Sequence, residues 1–409
     1  MSHDELRLPG IPNLHSHAFQ RAMAGLTERR TNPSDSFWTW RELMYRFAAR
    51  ITPESLYAIA AQLYVEMLEA GYTTVCEFHY LHHQPNGRPY DDPAAMSQAL
   101  IQAARDTGIR LTLLPVLYMT GGFGARTLSE RQRRFGHSVE SFLSLLQGLR
   151  AQENDTLKLG VALHSLRAVP ETAMQEILSA LSKQSLPIHI HISEQIAEVE
   201  ECLHWRRARP VEWLLANAEV NESWTLVHAT HLTEVEVQRI ATSGATVAIC
   251  PTTEANLGDG LFPLRKFIAA DGRFGVGSDS NTSVSPVEEL RWLEYGQRLV
   301  ERERDIAVDA REASVGALLL AHAVEDGRRS SQQPASADQD LLILDAGAPA
   351  LIGAVPENLQ DRFVFAGNQR LVRDVVVAGN KVVENGRHPQ AEPIAEGYRR
   401  KLKQLLADA

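Results

Sequence analysis

Cysteine is scarce, basic residues are in no excess, and no apolar run is long enough to span a membrane; each shortage removes a class of function. The three cysteines, Cys76, Cys202 and Cys250, are odd in number and far apart. A disulfide framework or a structural zinc knot needs close pairs, so a reducing compartment is expected. A formal net charge of −10 speaks against nucleic-acid binding, which requires a basic surface. Any anionic substrate must then be held by individual arginines. No window approaches the ~18 consecutive apolar residues of a membrane span. The opening MSHDELRLPGIPNLHSH has neither a basic n-region nor an apolar h-region, so cytoplasm is the expected location.

What remains, 44% hydrophobic and 22% charged residues in a chain of 409, is enough for a barrel of roughly 250 residues or more plus an appended unit. Short β-branched or apolar runs alternate with amphipathic stretches, the pattern of parallel strands joined by crossover helices. Eight strands are read, near Gly10 to Leu14, Thr73 to Phe78, Leu111 to Leu117, Leu159 to Leu163, Ile188 to Ile192, Thr225 to Val227, Thr246 to Ile249 and Phe274 to Gly277. Helices are expected at Pro53 to Glu69, Asp92 to Arg105, Ser138 to Leu149, Glu171 to Leu181, Glu234 to Ala241 and Pro286 to Val300. Ala310 to Ala323 reads as an apolar helix on the barrel exterior. The expected fold is an α/β, TIM-like (β/α)8 barrel over residues 9–327. A small β unit follows at 328–390, after a polar connector from Arg328 to Ser336, with strands at Asp340 to Leu344 and Arg373 to Val383 and a hairpin turn at Gly379-Asn380. A C-terminal helix, 391–409, ends the chain.

The chemistry gathers where such barrels hold their active sites, at the C-terminal ends of the strands. His15 and His17 lie two apart at the end of the first strand and so project from one face. His191 ends the fifth strand, His228 the sixth, and Asp279 follows the eighth. His15, His17, His191 and Asp279 are the candidate ligands of one divalent metal, and imidazole suits zinc. Of the two histidines on the fifth strand, His189 is assigned to the barrel interior, and His231 to a structural role. Glu194, three residues beyond His191, is the candidate acid/base. His228 is the candidate partner of the attacking water or the developing oxyanion, and Asp279 can also accept a proton from water. Zinc brings the pKa of bound water toward about 7, which points to hydrolytic loss of ammonia or an amine from an sp2 carbon.

In order along the chain stand PNLHSHAFQRAMAG (12–25), EFHYLHHQPNG (77–87), ALHSLRAV (162–169), HIHISEQ (189–195), HATH (228–231), CPTTEANLGDG (250–260) and GSDSNTSVSP (277–286). With them the sequence resembles the amidohydrolase superfamily, and within it the formimidoylglutamate deiminases. The resemblance implies a metal-dependent hydrolase barrel that converts N-formimino-L-glutamate to N-formyl-L-glutamate and ammonia in histidine degradation. It implies one metal, Zn2+ or alternatively Fe2+, a homodimer, and substrate contacts at Gln20, Arg41, Tyr80, His164 and Arg167. Two arginines also suit a substrate with two carboxylates, since each guanidinium offers a planar, bidentate match. Ala162 to Arg167 contains no lysine, where binuclear relatives carry a carbamylated one, so a single-metal site is expected. The loop Gly121 to Gly124 is a candidate lid. Relatives in the superfamily carry a longer stretch before the first barrel strand, so the small β unit is expected to be an incomplete sandwich with bare edges. The alternatives are a deaminase acting on a purine, pyrimidine or triazine ring and a catalytically silent metal-binding barrel.

Overall fold

A computed structural model of the chain describes residues 6–28, 37–334, 336 and 339–407. β1 (Arg7–Pro9) leads at once into β2 (Ile11–Ser16), followed by β3 (Tyr72–His79), β4 (Arg110–Leu117), β5 (Leu157–Leu159), β6 (Val161–Ser165), β7 (Ile188–Ile192), β8 (Trp224–His228), β9 (Thr246–Ile249) and β10 (Arg273–Val276). β2, β3, β4, β6, β7, β8, β9 and β10 lie side by side in that order, and every pairing is parallel. Ser16 bridges Asp279 and closes the ring, giving the expected barrel. All residues of β3 and β4 are buried, as strands covered on both faces must be.

The first two helices are α1 (Phe37–Ala48) and α2 (Pro53–Ala70). α2 starts where its sequence says it should: Thr52 accepts from Ser55 N–H, Ser55 reciprocates, and Pro53 takes the first turn, a position that needs no N–H.

Several elements depart from the sequence reading for local reasons. The strand expected at Leu159 to Leu163 is two, because the chain is pinched at Gly160, where a Cβ would lie 2.6 Å from Leu114 Cδ2 and from Pro187 Cγ. The helix expected from Ala310 starts at Val315 and runs to Ser331. Asp309 Oδ1 draws the amides of Arg311 and Glu312 into a turn at 2.7 and 2.8 Å, and Ser314 caps the helix only after it. Nor does this helix lie on the exterior. It spans the bottom of the barrel, where Thr112 Oγ1 donates to the Ser331 carbonyl at 2.8 Å and Phe274 N–H to Asp326 at 3.2 Å. The polar residues read as the start of a connector are its last turn; residue 335 of that connector, like 408 and 409 of the C-terminal helix, lies outside the described residues.

The small sheet is also better furnished than expected. Its order is β1-β11-β12-β13, with β11 (Leu341–Leu344), β12 (Val372–Val377) and β13 (Asn380–Val383), and every pairing is antiparallel. The bare edge expected on β11 is covered by Arg7–Pro9, in register Arg7 to Ile343 and Pro9 to Leu341. Three residues are too few to show alternation, which is why the sequence reading passed over them. The hairpin turn is Ala378-Gly379, one residue earlier than expected, with φ of 50° and 77°, the type I′ geometry.

One buried ion pair fastens this sheet to the barrel. Arg110, at the start of β4, donates through Nε to Asp340 Oδ2 at 2.7 Å and through Nη2 to Oδ1 at 3.0 Å. Asp340 also accepts from Ala378 N–H at 2.9 Å. Removing one partner leaves the other charge buried alone, so Arg110→Met is expected to cost about 3 to 5 kcal/mol, read as a fall in the urea unfolding midpoint. Arg110→Met combined with Asp340→Leu recovers most of that loss.

Candidate active site

The strand ends place three imidazoles and a carboxylate around one point. His15 and His17 leave β2 on the same face with their Nε2 atoms 3.2 Å apart. His191 Nε2, from β7, is 3.1 Å from His15 Nε2, and Asp279 Oδ1 is 3.3 Å from Nε2 of both His15 and His17. His17 Nδ1 lies 2.9 Å from the Phe78 carbonyl and His191 Nδ1 3.0 Å from the His164 carbonyl. A carbonyl can only accept, so each Nδ1 carries the proton and each Nε2 turns its lone pair inward. Burial keeps His15 and His191 below the ordinary imidazole range and His17 at about 3. Asp279 is likewise buried, yet its hydrogen bond with His15 and the charge of His228 hold it below the usual carboxylate range. Neutral imidazoles, inward lone pairs and an ionised carboxylate are what a divalent cation requires, and the set fits one. Cys250 shares a possible ligand group with His228 and Asp279, but burial pushes its thiol well up, away from the thiolate a metal needs.

His228 ends β8 with its ring stacked on His191 at 5.5 Å. Its Nε2 is 3.9 Å from Glu194 Oε1 and its Nδ1 3.3 Å from Glu254 Oε1. Burial lowers its pKa, but Glu194, Glu254 and Asp279 together outweigh burial and raise it to about 10. A cation at the neighbouring ligands pulls the other way. His228 and Asp279 both sit at positive φ, 68° and 43°, a strained conformation for non-glycine residues outside turns and helix caps, held here by the surrounding barrel mouth. Glu254 was not picked out from sequence. It lies in the CPTTEANLGDG segment, in the first turn of the Pro251–Leu257 helix, and also accepts from Cys250 N–H at 3.0 Å, so a carboxylate at that helix start orients His228. His189 is buried in the barrel interior, outside every possible ligand group.

Gln20, Arg41, Tyr80, His164 and Arg167 line one cavity with His17, His191, Glu194, His228 and Asp279. Gln20 Nε2 donates to Tyr80 Oη at 3.0 Å, while Gln20 Oε1 is buried with no partner among the described residues. Arg41 lies over the Tyr45 ring, 5.2 Å from its centroid. The nearby Glu198 and Glu194 carboxylates more than offset the effect of burial on Arg167 and raise its pKa. Trp40, Met44, Tyr45, Tyr118, Phe135 and Leu257 complete the wall; sequence reasoning missed them because they come from α1, two further short helices and the end of β4, and no spacing links them. Gly121 to Gly124 is no part of this wall. Gly122 and Gly124 border a neighbouring cavity that shares Arg167, and a Cβ on Gly124 would meet Trp205 at 2.6 Å.

The amidohydrolase family model matches residues 6–315. The chain belongs to the amidohydrolase family. As an amidohydrolase it is a member of a metal-dependent family, and the His/Asp group at the barrel mouth is its metal-binding group. It is 51% identical over 405 residues to the formimidoylglutamate deiminase of Pseudomonas aeruginosa, covering 98% of this chain and 89% of that one. A 5-methylthioadenosine/S-adenosylhomocysteine deaminase of Natronomonas pharaonis is 26% identical, covering 93% of this chain and 82% of its own length. The crystal structure of an amidohydrolase from Brucella melitensis superposes with a TM-score of 0.93 at 44% identity, over 98% of this chain and 90% of that one.

Gly277 offers a test of the ligand group. A Cβ there would lie 2.8 Å from His15 Cβ and 2.9 Å from His15 N, so Gly277→Ala must push β2 outward. Metal affinity is expected to fall about 10- to 100-fold, measured by competition with a chromogenic chelator. A second test concerns pH. Behind Tyr80, burial holds His79 and His137 at about 3 and His82 well below 6.5. The unfolded chain takes up these protons below pH 6.5 and the folded chain does not. Stability present above pH 6.5 is therefore lost as pH falls toward 3, by about 1.4 kcal/mol per unit for each fully suppressed histidine. The urea midpoint of metal-loaded protein should drop between pH 7 and 5.5, and less steeply in His82→Gln.

Proposed function

We propose that the chain hydrolyses N-formimino-L-glutamate to N-formyl-L-glutamate and ammonia. The observation that carries this reading is the sharing of one cavity by two guanidinium groups, Arg41 and Arg167, the ligand group and Glu194. The 51% identity to a formimidoylglutamate deiminase supports it. The barrel with the Val315–Ser331 helix across its bottom forms the catalytic unit, and the small sheet with the Ala391–Ala407 helix forms an accessory one. His15, His17, His191 and Asp279 would hold one metal, for which zinc is the best match to three imidazoles and a carboxylate. A zinc ion held there supplies Lewis-acid polarisation and brings the pKa of water toward about 7.

The protein's own groups do the rest. Arg41 and Arg167 take the two carboxylates bidentately, and Tyr80, set by Gln20, and His164 line the formimino end. Asp279 accepts a proton from the water that adds to the amidine carbon. The departing nitrogen receives both of the water's protons, one returned from Asp279 and one taken up and relayed by Glu194 beside His228, so that ammonia leaves and the carbon becomes a formyl group. The His228 imidazolium, steadied by Glu254, faces the charge that develops on oxygen. The chain works as a cytoplasmic homodimer within histidine degradation.

The aromatic wall of Tyr45, Tyr80, Tyr118 and Phe135 favours a second reading, a ring deaminase of the purine type. Two guanidinium groups facing the cavity count against it, because a neutral ring offers them no carboxylate to pair with. Ammonia release from N-formimino-L-glutamate by zinc-loaded protein decides between them, with a purine and triazine panel alongside. Glu194→Gln is expected to lower kcat about 10²- to 10⁴-fold while keeping its zinc. Arg167→Met is expected to lower kcat/KM at least about tenfold, chiefly through KM. Turnover of a ring substrate with none of N-formimino-L-glutamate would sink the deiminase reading.

A further inference from the structure

α1 brings Trp40, Arg41, Met44 and Tyr45 to the cavity, and its C-terminal end is held by one side chain from a distant segment. Arg134 belongs to the short 3-10 helix Glu130–Phe135 and is 1% exposed. Its Nη1 donates to the carbonyl of Ala48, the last residue of α1. Its Nη2 donates to the Ile51 carbonyl and to the His83 carbonyl, each at 3.0 Å. The main chain completes the knot, since the Arg134 carbonyl accepts from His82 N–H at 3.2 Å and His83 N–H at 3.0 Å. Three segments thus meet on one guanidinium: the end of α1, the approach to α2, and the loop that follows Tyr80.

The chemistry suits the place. The last carbonyls of a helix have no partner inside it, and a cation there also meets the negative end of the helix dipole. Among the described residues no carboxylate forms an ion pair with Arg134, so backbone carbonyls take its hydrogen bonds beside its contact with Tyr90. The next residue, Phe135, is itself in the cavity wall. It lies against Tyr45 of α1 at 6.1 Å between ring centroids and meets Tyr80 edge-on at 5.1 Å.

We propose that Arg134 is a positioning residue that sets α1 against the cavity and so fixes where Arg41 holds a substrate carboxylate. It acts on substrate affinity and on the preference for a dicarboxylate, and leaves C–N cleavage to the groups at the barrel mouth. The inference rests on the reading of Arg41 as a carboxylate clamp. Lysine at this position keeps the charge but cannot span three carbonyls in one plane, so the hold on α1 slackens while the groups at the barrel mouth stay in place.

The experiment compares zinc-loaded wild type with Arg134→Lys and Arg134→Gln. KM for N-formimino-L-glutamate is expected to rise about tenfold or more with kcat within about threefold, at parental zinc content. The kcat/KM advantage of that substrate over N-formiminoglycine and N-formimino-4-aminobutyrate should shrink, and amide hydrogen exchange across residues 40–48 should quicken. Unchanged KM and exchange would overturn the proposal, as would an equal loss on all three substrates. Failure of both variants to fold would make Arg134 a requirement of the fold and overturn it too. If the wild type turns over none of the three substrates, the deiminase reading has failed, and the exchange of residues 40–48 still tests the latch by itself.

Discussion

Closure of the barrel and construction of the metal-binding group are the same event. The last strand meets the first through a backbone exchange in which Asp279 N–H donates to the His15 carbonyl at 2.9 Å and His17 N–H to the Asp279 carbonyl at 3.0 Å. Residues that complete the ring are thereby the ones whose side chains converge. The seam is reinforced from within: Asn13 and Ser278 exchange two hydrogen bonds, and Asn281 Nδ2 reaches the carbonyls of His17 and Asp279 at 3.1 and 3.0 Å. A buried polar network stiffens a structure only when its members are satisfied, and this one ties both strand ends to a single geometry. With β2 and β10 so fixed, His191 and His228 need only their own strands to bring them into range.

The cavity wall is built on a different principle. Metal-facing residues come from strand ends, whose spacing the barrel sets, whereas Arg41, Tyr45, Tyr118 and Phe135 come from α1, a short 3-10 helix and the connection after β4, whose mutual placement is set by side chains such as Arg134. Rigid strands supply the chemistry common to a family, and adaptable connections supply the selection of substrate. A family of one fold can therefore serve linear amidines and aromatic rings by changing what faces the ligand group. In this chain two guanidinium groups face it.

Several parts of this arrangement were legible in the residues. Period-two spacing put His15 and His17 on one face, and the alternation of apolar runs with amphipathic stretches marked the barrel and the strand ends bearing His191, His228 and Asp279. Gly379 with its neighbours announced a hairpin to within one residue. β1 was not legible, since three residues carry no period and acquire meaning only when paired with β11. Nor was the course of the Val315–Ser331 helix, whose last turn, Arg328 to Ser331, reads as a linker until Thr225 and Thr112 are seen to meet Ser330 and Ser331.

The sequence by itself determined the residue types, their order and their periodicity, and with these the barrel, the ligand-type residues at its mouth and the excess of negative charge that leaves local arginines to hold an anion. Only the tertiary structure decided that Glu254 stands behind His228, that Arg41 rides on a helix latched by Arg134, and that Gly277 must lack a Cβ for His15 to sit where it does. Local periodicity is carried by neighbours in the chain. These contacts join residues far apart along it, and their distances exist only once the strands have closed into a ring.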